Sequence, residues 1–280
     1  MIRDRLHLFW ATLSRGALNA ILVCVCGAVL LGGCATRPPE SDPVALAEYK
    51  ETNDPIEPLN RYFFAINSLI DAFVLKPAAV LYDWSLPKPV KNSVRSFFNN
   101  LETPVTLAND IFQGEWGRAK TTTTRFAINT TAGVGGLIDW ASPMGYPYHS
   151  EDFGQTLAVY GVGSGPYLYL PLLGPSNPRD GVGYAADTMM NPMTYVLRGH
   201  DKVRFILFAS NAIDRRSRAI EVLDEIERSS VDYYASLRSL SRQRRADEIR
   251  NGKPDFESLP DLSASNYSSD DTVEEQPKKM

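Results

Sequence analysis

The chain has 280 residues, 44% of them hydrophobic, with 29 Lys and Arg against 33 Asp and Glu and a formal charge of −4. That balance excludes a strongly basic nucleic-acid surface. The three cysteines, Cys24, Cys26 and Cys34, all lie in the first 34 residues, so the body holds no disulfide framework and no cysteine-based metal site.

Residues 1–33 read as a lipoprotein signal peptide. Arg3, Arg5 and Arg15 precede the uncharged run ALNAILVCVCGAVLL at 17–31. This run is shorter than the roughly 18–20 apolar residues of a membrane span. Leu31-Gly32-Gly33-Cys34 then supplies small residues just before a cysteine, the arrangement of a lipobox, and Cys34 is expected to carry acyl chains after cleavage. Each buried CH₂ of an acyl chain contributes about 0.8 kcal/mol, so several chains hold a protein on a membrane. Ala35 rather than Asp follows the cysteine, and by resemblance to enterobacterial lipoproteins this favours the outer membrane. Residues 34–52 form a Pro- and charge-rich tether.

The domain at 53–251 is mostly of helical periodicity. Its first helix is expected at Asn53-Asp54-Pro55-Ile56-Glu57, with Asp54 as N-cap, Pro55 in the first turn and Glu57 completing a capping box. Glu57 and Arg61 have ion-pair spacing. Leu59, Tyr62, Phe63, Ile66, Leu69, Ile70 and Phe73 form an apolar stripe that faces either a core or a bilayer surface. Further helices are expected from Pro77, over 89–101, 104–113, 115–131 (stopped by Gly133), 152–160 (ended by Gly161) and 177–190. The stretch 201–250 is helical with a break at Ser229-Ser230, Ser230 capping the last helix. Arg238, Arg242, Arg244 and Arg245 on that helix read as a solvated face or as contacts to phospholipid head groups. The best strand signal is Tyr167–Leu170. The fold class is all-α, with long Gly/Pro loops and one short hairpin-like element near 160–175. Residues 252–280 read as a disordered acidic tail; residues 34–253 hold 24 basic and 25 acidic residues, a net of −1.

Motifs for catalysis fail one by one. His149 and His200 have no partner at zinc-ligand spacing. Ser164 sits in Gly-Ser-Gly, not G-x-S-x-G. The stretch YGVGSGPYLYLPLLGPSNPRD at 160–180 lacks the Walker lysine, and Pro166 stands where a dinucleotide fingerprint needs its last glycine. Glu151-Asp152 reads as capping the following helix. The loop is instead read as a mobile hairpin-like element, with Gly161, Gly163 and Gly165 as turns and Tyr160, Tyr167, Leu168, Tyr169, Leu170, Leu172 and Leu173 on an apolar face. No enzyme activity, cofactor or metal is expected.

Five motifs then stand in a fixed order: NDPIEPLNR at 53–61, FFNNLETP at 97–104, RFAINTTAGVGGLIDWA at 125–141, EDFGQTLAVYGVGSGPYLYLPLLGPSNPRD at 151–180 and RSSVDYYASLR at 228–238. With the lipobox, they resemble the MlaA/VacJ family of outer-membrane phospholipid-trafficking lipoproteins over residues 53–250. The resemblance implies a ring of helices in the inner leaflet of the outer membrane, pierced by an amphipathic channel. It implies removal of phospholipid from the outer leaflet, hand-over to a soluble periplasmic carrier, association with a porin trimer, and no catalysis. Under it, Arg125, Arg179 and Asp180 become candidate head-group contacts, although Arg179-Asp180 reads equally as a helix cap. The 160–173 loop becomes a candidate gate, and the Asn53–Glu57 turn a point where disturbance makes transport leaky. The competing readings are a porin-associated scaffold without lipid passage and, further off, a lipid-modifying enzyme.

Overall fold

The computed structural model describes residues 52–253, together with Pro39, Ser41, Asp42, Leu46 and Tyr49. The signal peptide, Cys34 and the acidic tail beyond Lys253 lie outside the described residues. The fold is helical, as expected, with a single two-stranded hairpin among the described residues.

Helix α1 (Glu57–Ile70) passes through a π-turn (Asp71–Leu75) into α2 (Lys76–Ser85) without interruption. The 29-residue run Glu57–Ser85 is long and apolar enough, by length and composition, to cross a membrane. Pro77 therefore continues a helix rather than starting one. Helix α3 (Lys88–Phe112) is also longer than expected: Pro104 lies inside it, where a start was read. A proline inside a helix removes the donor to the carbonyl four residues back, here that of Asn100; the neighbouring Asn99 carbonyl accepts from the Thr103 hydroxyl at 3.0 Å.

Helix α4 is Trp116–Thr131 and α5 is Phe153–Val159, each within a residue or two of its predicted span. Strands β1 (Leu168–Leu170) and β2 (Gly174–Ser176) pair antiparallel, Tyr169 opposite Pro175. Helices α6 (Pro178–Met190), α7 (Pro192–Val196), α8 (Asp201–Arg218), α9 (Ile220–Ser229) and α10 (Tyr233–Ile249) complete the chain. The break after Ser229 is as expected, but a second, at Ala219, was not read. Ser230 does not cap α10; Asp232 does, accepting from Ala235 N at 3.1 Å. Asp152 caps α5 as expected, and α6 is capped by Asn177 rather than by Arg179-Asp180.

The packing closes on itself. Helix α1 lies on β1, β2 on α10, α10 on α5, α5 on α3, α3 on α8 and α8 on α2, which leads back to α1. Helices α5 and α6 make the closest crossing. A Cβ on Gly183 would fall 2.7 Å from Gly154 Cα, so any larger residue at 183 forces these helices apart.

The interior of this circuit is polar. Among the described residues, 17 buried side chains are polar or charged and 8 are apolar. Conversely, 36 large apolar side chains are exposed, Phe73 at 78% and Trp84 at 84%. A soluble monomer shows the opposite bias. The α1 stripe follows the same inversion: Tyr62, Leu69, Ile70 and Phe73 point outward. The buried contact of α1 is made by Asn60 and by Phe63 and Phe64, which pack on a cluster of Tyr167, Tyr169 and Tyr234.

Candidate functional site

Two regions nominated separately in the sequence meet in the structure. The Asn53–Glu57 turn and the 160–173 loop are joined by three asparagines, Asn53, Asn60 and Asn67, spaced seven apart. The Asn53 carbonyl accepts from Tyr167 N at 2.8 Å, and its amide donates to the Gly165 carbonyl at 2.7 Å. Asn60 donates to the Tyr167 carbonyl (3.0 Å) and accepts from Tyr169 N (2.9 Å). Asn67 donates to the Leu170 carbonyl (3.0 Å) and accepts from Leu172 N (2.9 Å). The spacing has a geometric cause. Seven helical residues rise about 10.5 Å, and three strand residues span about 10 Å. Asparagines seven apart on a helix therefore meet strand amides three apart. The edge of β1 not paired with β2 is satisfied by side chains instead of by a third strand.

The clamp changes where movement can occur in the loop. Tyr167 and Tyr169 are buried, so they leave the exposed apolar face on which the sequence placed them; Leu168 and Leu170 are half-buried. Tyr160, Leu172 and Leu173 remain outside, the last two at the hairpin tip. Leu172 holds φ at +65°, a left-handed conformation that costs a branched side chain energy. Gly161 and Gly165 take positive φ and Gly163 does not.

Asp54 is not the N-cap. The capping position of α1 falls on Ile56, which has no side-chain cap. Asp54 and Pro55 sit in the turn before it, and Asp54 is buried with three partners: Asn60 (2.7 Å), the Tyr234 hydroxyl (2.5 Å) and Arg238 Nη1 (2.7 Å). Glu57 pairs with Arg61 at 2.7 Å, as its spacing implied, and with Arg238 at 3.2 Å. The Tyr234 ring lies between two guanidiniums, Arg61 at 4.5 Å and Arg238 at 5.4 Å. Burial, then the Asp54 carboxylate, push its phenol far above the ordinary range. The arginines of α10 are thus not uniformly a solvated face. Arg238 holds the start of the domain, and Arg245 spans Asp152 and Asp180.

The head-group candidates are committed internally. Arg125 is buried and donates to Ser142 Oγ (2.9 Å), to Asp139 (2.9 Å) and to the Tyr146 carbonyl. Burial acts to raise the Asp139 pKa, but donors on Ser142, Arg125 and Asn129 outweigh it and hold it at about 2, against 3.8. A depressed carboxylate stabilises the fold above its unfolded pKa and loses that contribution as pH falls through its folded one. The Asp139 contribution is therefore expected to vanish between about pH 4 and 2; acid titration of Asp139→Asn, followed by circular dichroism, should lack that step. Arg179 donates to Asp180 (3.0 Å) and to the Val162 carbonyl (3.5 Å), holding the glycine loop. Asp180 accepts from Asn177 and Arg245.

A second polar network runs through α3, α4, α5 and α6. Asn109 links Thr156 (2.8 Å) and Asp187 (3.0 Å); Asp110 takes Thr122 (2.5 Å) and His149 (3.1 Å). His149 reaches both Thr122 and Asp110 through one nitrogen, Nε2. A nucleophile–base–acid relay needs the carboxylate on the other ring nitrogen, so this is a packed hydrogen-bond network. No group of three or more His, Cys, Asp or Glu suited to a metal occurs among the described residues.

With this geometry in place, the comparisons with known proteins can be set beside it. A family model described as MlaA lipoprotein matches residues 52–248. An uncharacterized protein of Rickettsia bellii is 36% identical over 73% of this chain and 80% of its own length. The intermembrane phospholipid transport system lipoprotein MlaA of Haemophilus influenzae is 32% identical over 87% of this chain and 96% of its own. The protein of that name from Escherichia coli is 32% identical over 81% and 86%. A solved structure, described as the structural basis for maintenance of bacterial outer membrane lipid asymmetry, is 32% identical with a TM-score of 0.63, covering 70% of this chain and 98% of that one.

Proposed function

The chain belongs to the MlaA family of lipoproteins, and on that premise we propose that it moves phospholipid without catalysis, taking molecules misplaced in the outer leaflet of the outer membrane and passing them inward through the helical ring. Acylated Cys34 and the exposed apolar faces of α1, α2 and α8 hold it on the periplasmic side, in the inner leaflet. A soluble periplasmic carrier receives the lipid, and a porin trimer surrounds or supports the ring.

The observation that carries this reading is the inversion of core and surface. A ring that presents Phe73, Trp84, Phe205 and Ile206 outward and buries Asp110, Arg125, Glu151 and Asp214 suits lipid outside and a polar head group inside. Helices satisfy their own backbone groups, so they can lie at membrane depth without spanning it. The Leu172–Leu173 tip, where the last asparagine clamp ends, is the part of the hairpin that serves as a gate.

Purification in mild detergent followed by lipid extraction tests the reading. Co-purifying phospholipid is expected; an empty protein carrying only a porin would support the scaffold alternative. Cys34→Ala should lose all acyl mass by mass spectrometry. The gate has its own test. Cysteines placed at Asn67 and Leu172, where the Asn67 side chain now accepts from Leu172 N, should slow lipid passage when oxidised and restore it when reduced. Full-rate transport by the oxidised protein would remove the hairpin from the mechanism.

A further inference from the structure

Arg125 and Arg179 are occupied by internal partners, so cationic groups open to a ligand must be sought elsewhere. They occur where α3 meets α8. Arg95 and Glu102 lie seven residues apart on α3, hence on one face. Glu102 receives Arg215 of α8 at 2.7 Å. One turn further along α8, Arg218 folds back on Asp214, with Nη2 at 2.8 Å from the carboxylate and Nε at 3.2 Å from the carbonyl. Asp214 is buried and also accepts the Tyr82 hydroxyl at 3.1 Å, so little of its charge remains for a further cation. Arg95 is exposed and has no ion pair with a described residue. Three guanidiniums therefore gather around two carboxylates.

The crowding has an electrostatic signature. Burial, and then the charges of Arg95 and Arg215, hold the Arg218 pKa below its ordinary value in spite of Asp214. Tyr148, on the segment before α5, lies in the same field of Glu102, Arg215 and Arg95. The bland explanation is that basic residues in the last turn of a helix complement its dipole. That accounts for Arg215 and Arg218. It does not account for Arg95, which sits in the second turn of α3, toward the end where a cation is disfavoured.

We propose that Arg95, Arg215 and Arg218 form a binding site for the phosphodiester of an anionic phospholipid head group. Guanidinium forks match phosphate oxygens in pairs. The side chains of Arg215 and Arg218 are 61% and 38% exposed, which leaves donors available. Glu102 is then a resident competitor: an incoming phosphate takes Arg215 from it. This inference rests on the lipid-transport reading and assigns the head-group contact within it.

Glu102 makes the test directional. The full acylated chain is delipidated in non-ionic detergent, and binding of dihexanoyl phosphatidylglycerol is followed by calorimetry. The triple substitution Arg95→Gln, Arg215→Gln, Arg218→Gln is expected to weaken binding by about tenfold or more, the loss expected from deleting charge-assisted contacts. Glu102→Gln is expected to tighten it, a result that misfolding cannot produce. Arg244→Gln, an exposed arginine elsewhere on α10, should change nothing. Unchanged binding by the triple variant, or weaker binding by Glu102→Gln, overturns the site. Displacement of the lipid by inorganic phosphate at equal concentration also overturns it, since the site then holds free phosphate. Lipid extracted from the wild-type protein before delipidation is scored separately. If none is found, the transport reading falls; if it is found and the triple variant binds normally, only this site falls.

Discussion

Arg245→Met is expected to destabilise the domain by about 3 kcal/mol, in the lower part of the range for breaking a buried ion pair. The guanidinium, from α10, meets Asp152 at 2.6 and 2.7 Å and Asp180 at 3.0 Å through two nitrogens. Asp152 caps α5 and Asp180 lies in the first turn of α6, so one side chain ties two helix N-termini to the last helix. Those helices already touch at Gly154 and Gly183. Met fills much of the arginine stem's volume but leaves Asp152 without a cation and Asp180 with Arg179 alone. Asp152 keeps partial solvent access, which tempers the loss.

The same substitution should change a pH dependence. In the native protein burial acts to raise the Asp152 pKa, but Arg245 outweighs it and holds it below 3.8. Its contribution is thus complete above about pH 4 and declines as acid protonates it. Without Arg245, burial is opposed only by the side-chain and backbone donors of Gln155, so the Asp152 pKa rises and its ionised form is less favoured than in the wild type. The stability deficit of the variant relative to the wild type should therefore shrink on acidification from pH 7 toward 5. Thermal unfolding in mild detergent at the two pH values measures this directly. Parallel curves for the two proteins would show that Arg245 does not set the charge of Asp152.

The sequence made helices legible where punctuation was local. Gly161 ends α5, Asn177-Pro178 opens α6, and the tyrosine-leucine run became β1. It misled where one residue type serves two purposes. Proline is common at a helix start, and Pro104 instead sits inside one. Asp54 looked like a cap because its neighbours are three residues away, but its chief partners, Tyr234 and Arg238, are 180 and 184 residues distant. Asn60 and Asn67 passed unremarked. They were visible as polar interruptions of an apolar helix at a seven-residue interval shared with Asn53, but only a neighbouring strand gives that interval meaning. Periodicity located the α1 stripe and could not decide whether it faced a core or a bilayer; it divides, with Tyr62, Leu69, Ile70 and Phe73 exposed and Phe63 packed on the tyrosine cluster.

Asp54→Ala is expected to have the largest effect of all, about 3–5 kcal/mol, the range for removing one partner of a buried pair. Three donors converge on this carboxylate, and each loses its acceptor. Arg238 retains Glu57, but at 3.2 Å. The Tyr234 hydroxyl is left buried without its carboxylate at the centre of the aromatic cluster. Asn60, freed from Asp54, loses one of the contacts that orient its amide toward Tyr167 and Tyr169. The damage should therefore travel along the asparagine ladder to the hairpin, loosening the element assigned as gate. Asp54→Asn separates charge from shape. It keeps an acceptor for Asn60 and Tyr234 but removes the charge paired with Arg238, so its loss of stability should be smaller. If the turn controls lipid flow, cells carrying Asp54→Ala with Glu57→Ala should accumulate outer-leaflet phospholipid and become sensitive to detergent at unchanged protein abundance. Reduced abundance with normal lipid asymmetry per molecule would mean that the turn stabilises the ring without governing passage through it.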